Sequence, residues 1–485
     1  MGNSPDTESI HILDDDSLLN IFYLYRPAIL DGVNDDSLCM LGGKTWRRER
    51  WWYKLAQVCQ RWRTLILGST SHLGLCLVCT HGTPIADMLA HSPPLPLIID
   101  YVEWEITAKD EEGIILALAQ RNRVRRIRFR MRVPNLQKLI MAINEEYPTL
   151  EYLILVPPMD MSTTLMLPET LQAPHLRHLL LTGFVLPIGS QLLVTAVGLV
   201  TLTLIAGHPP TYFQPKILLR WLSFMSQLET LQLGLFSSPF PNHGVEGQLM
   251  YMPITTHITL PNLRRFEFQG EGASIEDVIR WISAPRLKKV NIWFLKQLTF
   301  SVPRLLQFIN TTQDLRFCAA KFKFSIDSVH VEVYPREAET YALSLKVSCL
   351  HLDWQVSSAA QICNPPSQIF STVEHLTLEH EAHSLSSQEH NEVDRAEWRK
   401  FLKSFSNVKT LRFDAGLVKE LSRCLRLDDG EHPLELLPEL QELRYSGRVK
   451  MKPRKRRRRN DTSDAFAPFI KARQNAGHAV TLVYP

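Results

Sequence analysis

Cys76 and Cys79, in the segment "CLVC", have the Cys-x-x-Cys spacing of a zinc-ligand pair. Zinc needs a second pair of ligands, and His81 is the one nearby residue of a suitable type. The surrounding sequence, "LGLCLVCTHG", is apolar and typical of a short buried strand. We therefore expect a strand at this position, and neither a metal ion nor another cofactor.

A run of seven arginines, "RNRVRRIRFRMR", occupies residues 121–132. The alternation of charged and apolar residues predicts a strand in which Arg126, Arg128 and Arg130 point away from the core. A charged strand face of this kind is either solvated or a contact surface for carboxylate or phosphate groups. The sequence leaves both interpretations open.

A second basic run, "KMKPRKRRRR" at 450–459, contains eight lysines and arginines and no acidic residue. The whole chain has a formal charge of +4, so the remainder is mildly acidic, unlike a protein that binds nucleic acid along its length. We expect a basic loop at 448–462 that is either solvated, a weak phosphate-binding segment, or a signal for an import receptor. The residues of the import signal would be Lys452, Arg454, Lys455, Arg456, Arg457, Arg458 and Arg459.

The sequence contains no phosphate-binding loop, hydrolase nucleophile motif, zinc-protease motif or dinucleotide fingerprint, and its seventeen histidines are dispersed. We therefore do not expect an enzyme. The opening residues 1–10 are polar and predicted to be disordered, and eight cysteines are few for a secreted protein, so we expect a reduced, intracellular protein. An uncharged stretch at 179–207 is long enough to span a bilayer, but it contains Pro187 and is accounted for by the repeat described next.

The pattern apolar-x-x-apolar-x-apolar recurs twelve times at a mean spacing of about 29 residues. It begins at residues 124, 150, 176, 199, 228, 263, 287, 319, 347, 373, 408 and 440. Helix-like segments separate the units, for example 134–148, 394–405 and 274–285, the last with Ser274 as the expected N-cap. Strands that alternate with helices at this period predict an α/β protein with parallel strands stacked as a solenoid.

The repeat resembles that of leucine-rich-repeat proteins over about residues 120–485, although no unit has the family's Asn or Cys after the strand. The resemblance implies an irregular solenoid with one curved parallel sheet and outer helices. We assign residues 71–485 to it.

Two stretches before the repeat predict helices. In "LDDDSLLNIFYLY" (13–25), three acidic residues precede an apolar face, which suits the positive end of a helix dipole. In "WWYKLAQVCQRWRTLI" (51–66), apolar residues from Leu55 to Ile66 recur at helical spacing and predict one continuous helix face. The three tryptophans of the second stretch have three possible roles: core residues, a nucleic-acid platform, or a docking surface for a protein.

Together the two stretches resemble the F-box, in which Leu-Pro, acids and "LLxIF" are followed by "WxxLxxVCxxWRxL". Asp14 stands where the proline is usual, and an insertion near 30–50 lengthens the connection. We assign residues 11–70 to a small helical F-box-like domain, so that the whole chain resembles fungal F-box/leucine-rich-repeat proteins. The resemblance implies that the helices bind the Skp-type adaptor of a cullin–RING ubiquitin ligase. The adaptor contacts would be Leu13, Leu18, Leu19, Ile21, Phe22, Leu55, Val58, Cys59 and Trp62.

In that family the repeat domain binds a target protein, whose identity the sequence does not reveal. We expect the target to contact outward-pointing strand residues: Arg128, Tyr152, Trp293, His351 and Arg412. The expected location is the nucleus and cytoplasm, with no membrane association and no specific nucleic acid. Two alternatives remain open: a nuclear scaffold that is not part of a ligase, and a nucleic-acid-associated repeat protein that uses 121–132 and 450–459.

Overall fold

The computed structural model of the protein describes residues 13–26, 50–158, 165–187, 189–205, 215–235, 257–295, 302–312, 317–336, 340–349, 351–363, 370–381, 395–427, 431–446 and 455–484. The N-terminal segment expected to be disordered and nearly all of the predicted insertion near 30–50 lie outside these ranges, as do Lys452 and Arg454.

The chain forms two compact units, of which the first runs to Thr201 and the second begins at Leu202. The helices at 13–25 and 51–66 belong to the same unit as the first strands of the sheet. The elements of the first unit are α1 (Asp15–Tyr25), α2 (Trp51–Ala56), α3 (Gln60–Gly68), α4 (Thr70–Leu73), β1 (Leu77–Cys79), α5 (Ile85–His91), β2 (Leu97–Tyr101), α6 (Ala108–Leu118), β3 (Val124–Phe129), α7 (Val133–Ala142), β4 (Tyr152–Leu155), β5 (Leu165–Met166), β6 (His178–Thr182), β7 (Phe184–Val185) and α8 (Gln191–Thr195).

A parallel sheet of order β1-β2-β3-β4-β6 forms the centre of the first unit. The register aligns Ile127, Leu153 and Leu179, all fully buried, on one face of neighbouring strands. The buried face of α7, with Leu139 and Ile140, contributes to the same core. Each such side chain contributes about 1.5–3 kcal/mol through burial, so this alternation fixes which strand face points inward.

The second unit has the same alternation of strands and helices. Its elements are β8 (Thr201–Ile205), α9 (Pro215–Leu222), β9 (Thr230–Leu235), β10 (Ile258–Thr259), β11 (Arg265–Gly270), α10 (Gly272–Ile279), β12 (Ile282–Ser283), β13 (Lys289–Phe294), α11 (Pro303–Asn310), β14 (Phe317–Phe324), β15 (Ser328–Pro335), β16 (Leu343–Ser348), α12 (Leu352–Cys363), β17 (His375–His380), α13 (Arg395–Lys403), β18 (Thr410–Asp414), α14 (Val418–Leu425), β19 (Glu442–Ser446), α15 (Lys455–Asn475) and β20 (Thr481–Val483).

The sheet of the second unit has the order β8-β9-β11-β13-β16-β15-β14-β17-β18-β19-β20. From β9 onward each pairing is parallel except the two pairings of β15, which runs antiparallel to both β14 and β16. The sequence analysis did not predict β15. A short turn at 325–327 joins β14 to β15, and the hydroxyl of Ser325 donates a hydrogen bond to the carbonyl of Ser328 over 3.0 Å.

The predicted α/β class, with mostly parallel strands, is confirmed, and so is every predicted repeat strand except the one at 347. There the strand β16 ends at Ser348, and Leu352 already begins helix α12. The pattern matched because a strand end and a helix start together supply apolar residues at the right spacing.

Three further predictions about local structure are wrong. Residues 51–66 form two helices instead of one, and Ser274 lies inside α10, whose N-cap is Glu271. The predicted basic loop at 448–462 is helical from Lys455 onward, because lysine and arginine favour helices and neither proline nor glycine occurs between Lys455 and Ala467. Residues 447–454 lie outside the described ranges.

Where the structure describes the uncharged stretch at 179–207, that is, at 179–187 and 189–205, the stretch forms strands and a short helix. Among the described residues no helix has both the length and the apolar character that crossing a membrane requires.

Candidate docking surfaces of the first unit

Helices α1 and α3, which contain the two stretches that resemble an F-box, pack against each other. The rings of Phe22 and Trp62 meet edge to face with 4.8 Å between their centroids. The guanidinium of Arg61 donates to the carboxylate of Asp15 at 2.6 Å and to the carbonyl of Leu13 at 2.6 Å. The insertion therefore does not prevent the two stretches from forming one helical cluster.

Local capping explains where both helices begin. Asp14, at the position of the usual proline, accepts a hydrogen bond from the backbone N–H of Ser17 at 2.6 Å and caps α1. That hydrogen bond lowers the pKa of the Asp14 carboxyl. The sulfur of Cys59 accepts from the N–H of Trp62 at 3.5 Å and caps α3, so the chain turns between α2 and α3.

The nine expected adaptor contacts separate into three groups by exposure. Leu18 and Phe22 are buried in the helical cluster and are not accessible to a partner, which corrects the prediction for these two residues. Leu13, Ile21 and Val58 are exposed, Val58 to 58%. The others are partly exposed: Leu19, Leu55, Cys59 and Trp62.

Helix α1 carries additional exposed apolar residues that the sequence analysis missed. Leu24 is 81% exposed, and Tyr23 and Tyr25 are about half exposed. Leu24 follows Ile21 by three residues and so continues its side of the helix. The three-residue spacing of Ile21 and Leu24 is the sequence signal for this side of the helix, whereas the F-box resemblance extends only to Phe22.

The first two tryptophans of the second stretch are core residues. Trp51 and Trp52 are buried, so they cannot act as a stacking platform for nucleic acid. The indole Nε1 of Trp52 donates to the carbonyl of Cys76 at 3.3 Å. The guanidinium of Arg50 donates to the carbonyl of Val78 at 2.9 Å. Helix α2 is therefore attached directly to strand β1.

The outward face of the first sheet, opposite its core face, carries the arginines of β3. Arg128 was expected there as an exposed target contact, but it is 7% exposed and donates two hydrogen bonds to Asp100, at 2.7 and 2.6 Å. The register places Arg128 beside Asp100 on the neighbouring strand, which explains the pair. The expected exposure of Arg128 is therefore wrong.

Tyr152, also expected to contact the target, forms an aromatic stack on this face. Its ring lies parallel to that of His178, with 4.4 Å between centroids, and the guanidinium of Arg126 lies 4.6 Å above it. Burial, with help from Arg177 and Arg126, lowers the pKa of His178 to about 4. The His178 ring is therefore uncharged at neutral pH.

The structure does not bring together the three expected target contacts of the second unit. Trp293 on β13 is partly exposed, with the Lys346 amine 4.3 Å above its ring. Arg412 is exposed on β18, separated from β13 by four strands and therefore by about 24 Å. His351 lies before α12, packed edge to face on Trp354, so its expected strand position is wrong.

The cysteines of the "CLVC" segment are buried at β1, as the predicted strand requires. Burial raises the pKa of the Cys79 thiol to about 12, which disfavours the thiolate that zinc or redox chemistry needs. Within the described ranges one group has ligand atoms close enough for a metal ion: Cys318, Glu374 and His375. The carboxylate of Glu374 already pairs with Lys409 at 3.1 Å and Arg336 at 3.4 Å, and we assign no metal there.

Comparisons with known proteins provide no family assignment: no protein-family model matches the chain, and no curated protein is significantly similar to it in sequence.

Proposed function

We propose that this protein is the target-binding subunit of a Skp–cullin–F-box ubiquitin ligase and is not itself an enzyme. The observation that carries the proposal is the helical cluster. The two stretches that resemble an F-box pack together through Phe22 and Trp62, although they are distant in sequence. In the proposal this cluster docks the Skp-type adaptor, and the irregular leucine-rich repeats bind the target.

The exposed apolar residues of the cluster support a protein partner. Leu24, Ile21 and Val58 are exposed to 81%, 44% and 58%, although each would gain free energy by leaving water. Arg61, in the first turn of α3, donates to the carbonyl of Leu13. Val58 lies just before α3, so Leu13 and Val58 lie at the same end of the cluster. A partner that covers these residues would recover about 1.5–3 kcal/mol for each one fully buried.

The mechanism is proximity. The adaptor recruits the ligase to the helical cluster, while the repeats hold the target. The effective concentration of the target's lysines near the ligase rises as a result. Such a receptor needs two binding surfaces and no catalytic residues.

The nucleic-acid alternative has weaker support. Four of the seven arginines in 121–132 pair with carboxylates: Arg121 with Glu145, Arg125 with Glu151, Arg128 with Asp100 and Arg132 with Glu105. A phosphate would have to displace these partners. A scaffold protein that is not part of a ligase could use the same exposed residues for another partner. Binding to the Skp-type adaptor distinguishes the ligase subunit from such a scaffold.

The test is co-purification of the full chain with a Skp-type adaptor. We expect Ile21→Asp and Val58→Asp, each at an exposed position, to abolish retention without unfolding the protein. Leu116→Asp, which charges a comparably exposed leucine on α6, is the matched control and should bind like wild type. The proposal is wrong if the wild-type chain retains no adaptor, or if Ile21→Asp and Val58→Asp retain as much as the control.

A further inference from the structure

The regular repeat of the second unit is interrupted where the hairpin β14–β15 joins the sheet. Outside β14–β16 the strands of that sheet lie side by side in chain order, but β14 lies three positions from β13, and β15 and β16 fill the gap. Because β15 runs antiparallel, the turn 325–327 lies at the same end as the carboxyl ends of β13 and β16. We call this end the hairpin rim, formed by Trp293, Ile326, Lys346 and Trp354. Insertions in repeat proteins often map to the binding face.

The hairpin rim concentrates exposed apolar side chains. Four large apolar side chains are exposed in the described part of the second unit, and three of them lie at this rim: Trp293 at 37%, Trp354 at 48% and Ile326 at 51%. The fourth, Phe224, lies in the connection that enters β9, at the opposite end of the strands. Apolar side chains gain free energy by leaving water, and tryptophan is enriched among the residues that dominate protein interfaces. The hairpin rim is therefore a candidate contact surface.

Hydrogen bonds hold Trp293 and the turn of Ile326 in fixed positions. The indole Nε1 of Trp293 donates to the hydroxyl of Ser348 at 2.9 Å, and the register pairs Ser348 with Ser328 at the start of β15. The hydroxyl of Ser328 donates to the carboxylate of Asp327 at 2.9 Å, which closes the turn. That turn enters β15, two strands from β13, so the two exposed side chains start about 10 Å apart across the sheet.

Helix α12 attaches Trp354 to the same turn. Gln355, the next residue, is 1% exposed and donates to the carbonyl of Ser325 at 2.8 Å and to that of Cys349 at 3.0 Å. The ring of His351 packs edge to face on Trp354, with 4.8 Å between centroids. A partner therefore meets side chains whose freedom is already partly lost, which lowers the entropic cost of binding.

Lys346 gives the hairpin rim a positive charge without an ionic partner. Its Nζ lies 4.3 Å from the ring centroid of Trp293, and in the part of the chain that the structure describes no carboxylate is within ion-pair distance of it. The carboxylate of Asp327 accepts hydrogen bonds from the turn instead. The two lysines of β14 differ in this respect, since both pair with glutamates: Lys321 with Glu379 and Lys323 with Glu381. An ammonium over an aromatic ring keeps N–H groups able to donate to a partner's carboxylate.

We propose that the hairpin rim binds an apolar segment of a partner protein that also carries a carboxylate. The apolar residues of the segment cover Trp293, Ile326 and Trp354, and Lys346 donates to the carboxylate. The inference rests on the proposed function only in that the segment would belong to the target. Peptide binding is measured without the adaptor and on the second unit, so the failure of one proposal does not imply failure of the other.

The experiment selects a displayed library of random peptides of about twelve residues on the immobilised full chain. Prior passage over the double variant Trp293→Ser/Trp354→Ser removes peptides that bind elsewhere. We expect the retained peptides to be enriched in large apolar residues together with aspartate or glutamate. A labelled copy of the most enriched peptide should bind at least tenfold more tightly than its amide counterpart in fluorescence anisotropy. Retention of no peptide, or equal binding of the acidic and amide forms, would overturn the proposal.

Charge reversal at Lys346 separates recognition from loss of structure. Lys346→Glu should weaken binding of the acidic peptide at least tenfold and prefer a copy with lysine in place of the acid, which a misfolded protein would not do. The matched control is Lys289→Glu, because Lys289 lies near the opposite end of β13, with its amine 4.5 Å from the ring centroid of Tyr341. Phe224→Ser is the control for an exposed aromatic residue. The proposal fails if either control weakens binding as much as Lys346→Glu.

A second copy of this chain is the competing occupant of the hairpin rim. Light scattering during size-exclusion chromatography tests it. We expect the wild-type chain and Trp293→Ser/Trp354→Ser to have the same mass. If the wild-type chain is instead a dimer that the double variant dissociates, the rim is a self-association surface and the proposal is overturned.

Discussion

Arg128 shows that the exposure and the partner of a residue depend on the strand beside it. In the sequence it is one of several alternating arginines, whereas the fold places it against Asp100 and excludes water from both. We expect Arg128→Ala to lower the free energy of unfolding by about 3–5 kcal/mol, because it leaves a buried carboxylate unpaired. Urea denaturation of the purified chain measures this.

The comparison variant is Arg132→Ala, four residues further along. Arg132 pairs with Glu105, and both side chains are more than half exposed. Its loss should cost less than about 1 kcal/mol, since exposed ion pairs contribute little. Equal losses for the two variants would contradict the assigned burial of Arg128.

His178 makes stability depend on pH. Its pKa is about 4 in the folded chain, against an ordinary value of 6.5. Between these values the unfolded chain binds a proton that the folded chain does not, so this contribution to stability is lost as pH falls from about 6.5 to about 4. Relative to His178→Gln, the wild-type free energy of unfolding should fall by about 1–2 kcal/mol over this window, a range that allows for partial exposure.

Chemical denaturation at a series of pH values tests the His178 prediction. His91→Gln, at an exposed histidine of α5, serves as the control and should show the wild-type dependence. A pH profile of His178→Gln that parallels wild type throughout would contradict the lowered pKa.

Among the elements, the turn between α2 and α3 offers a test of capping. The sulfur of Cys59 is a weak acceptor for the Trp62 N–H, at 3.5 Å. Cys59→Ser should raise the free energy of unfolding by about 0.5–1 kcal/mol, because a serine hydroxyl is a better N-cap acceptor. Urea denaturation followed by circular dichroism measures the change. Cys318→Ser, on a strand, should show no such gain, and a neutral or destabilising Cys59→Ser would argue against this cap.

The elements also show what the sequence could and could not predict. Strand positions were predictable because a strand with one buried face must alternate, as at Ile127 and Phe129. The break between α2 and α3 at Cys59 was not predictable, because the apolar residues on both sides of it keep the spacing of a single helix. Strand β15 alternates like the other strands, but it was missed because it follows β14 after only residues 325–327, whereas the repeat predicts strands about 29 residues apart.

The sequence predicted which helices form the candidate site, but it did not predict which of their residues are exposed. The pairing of the two helical stretches followed from a resemblance, whereas exposure did not: Leu18 and Ile21 are both apolar, yet one is buried and the other is 44% exposed. Which apolar residue of a short helix points inward depends on the neighbours it meets, such as Trp62. Likewise, no spacing along the chain predicts that Asp100 lies beside Arg128, because strand register sets that pairing.

At the scale of the whole molecule, the basic run remains a predicted import signal, although Lys455–Arg459 begin helix α15. Deletion of 454–459 should abolish nuclear enrichment of the tagged chain, because an import receptor requires the clustered cations. Fluorescence microscopy measures this, with replacement of 460–464 by alanine as a neighbouring control. An unchanged distribution after the deletion would exclude the signal.

Strand β1 is the last strand on its side of the sheet, and its outward backbone groups would be open to pairing with another molecule. Trp52 and Arg50 occupy the carbonyls of Cys76 and Val78, so the N-terminal helices close this edge. A chain lacking 1–70 should therefore self-associate, and light scattering during size-exclusion chromatography would detect it; a monodisperse truncated chain would contradict this role. Truncation is consequently an ambiguous negative control for adaptor binding, because it removes a docking surface and creates an aggregation-prone edge in one step.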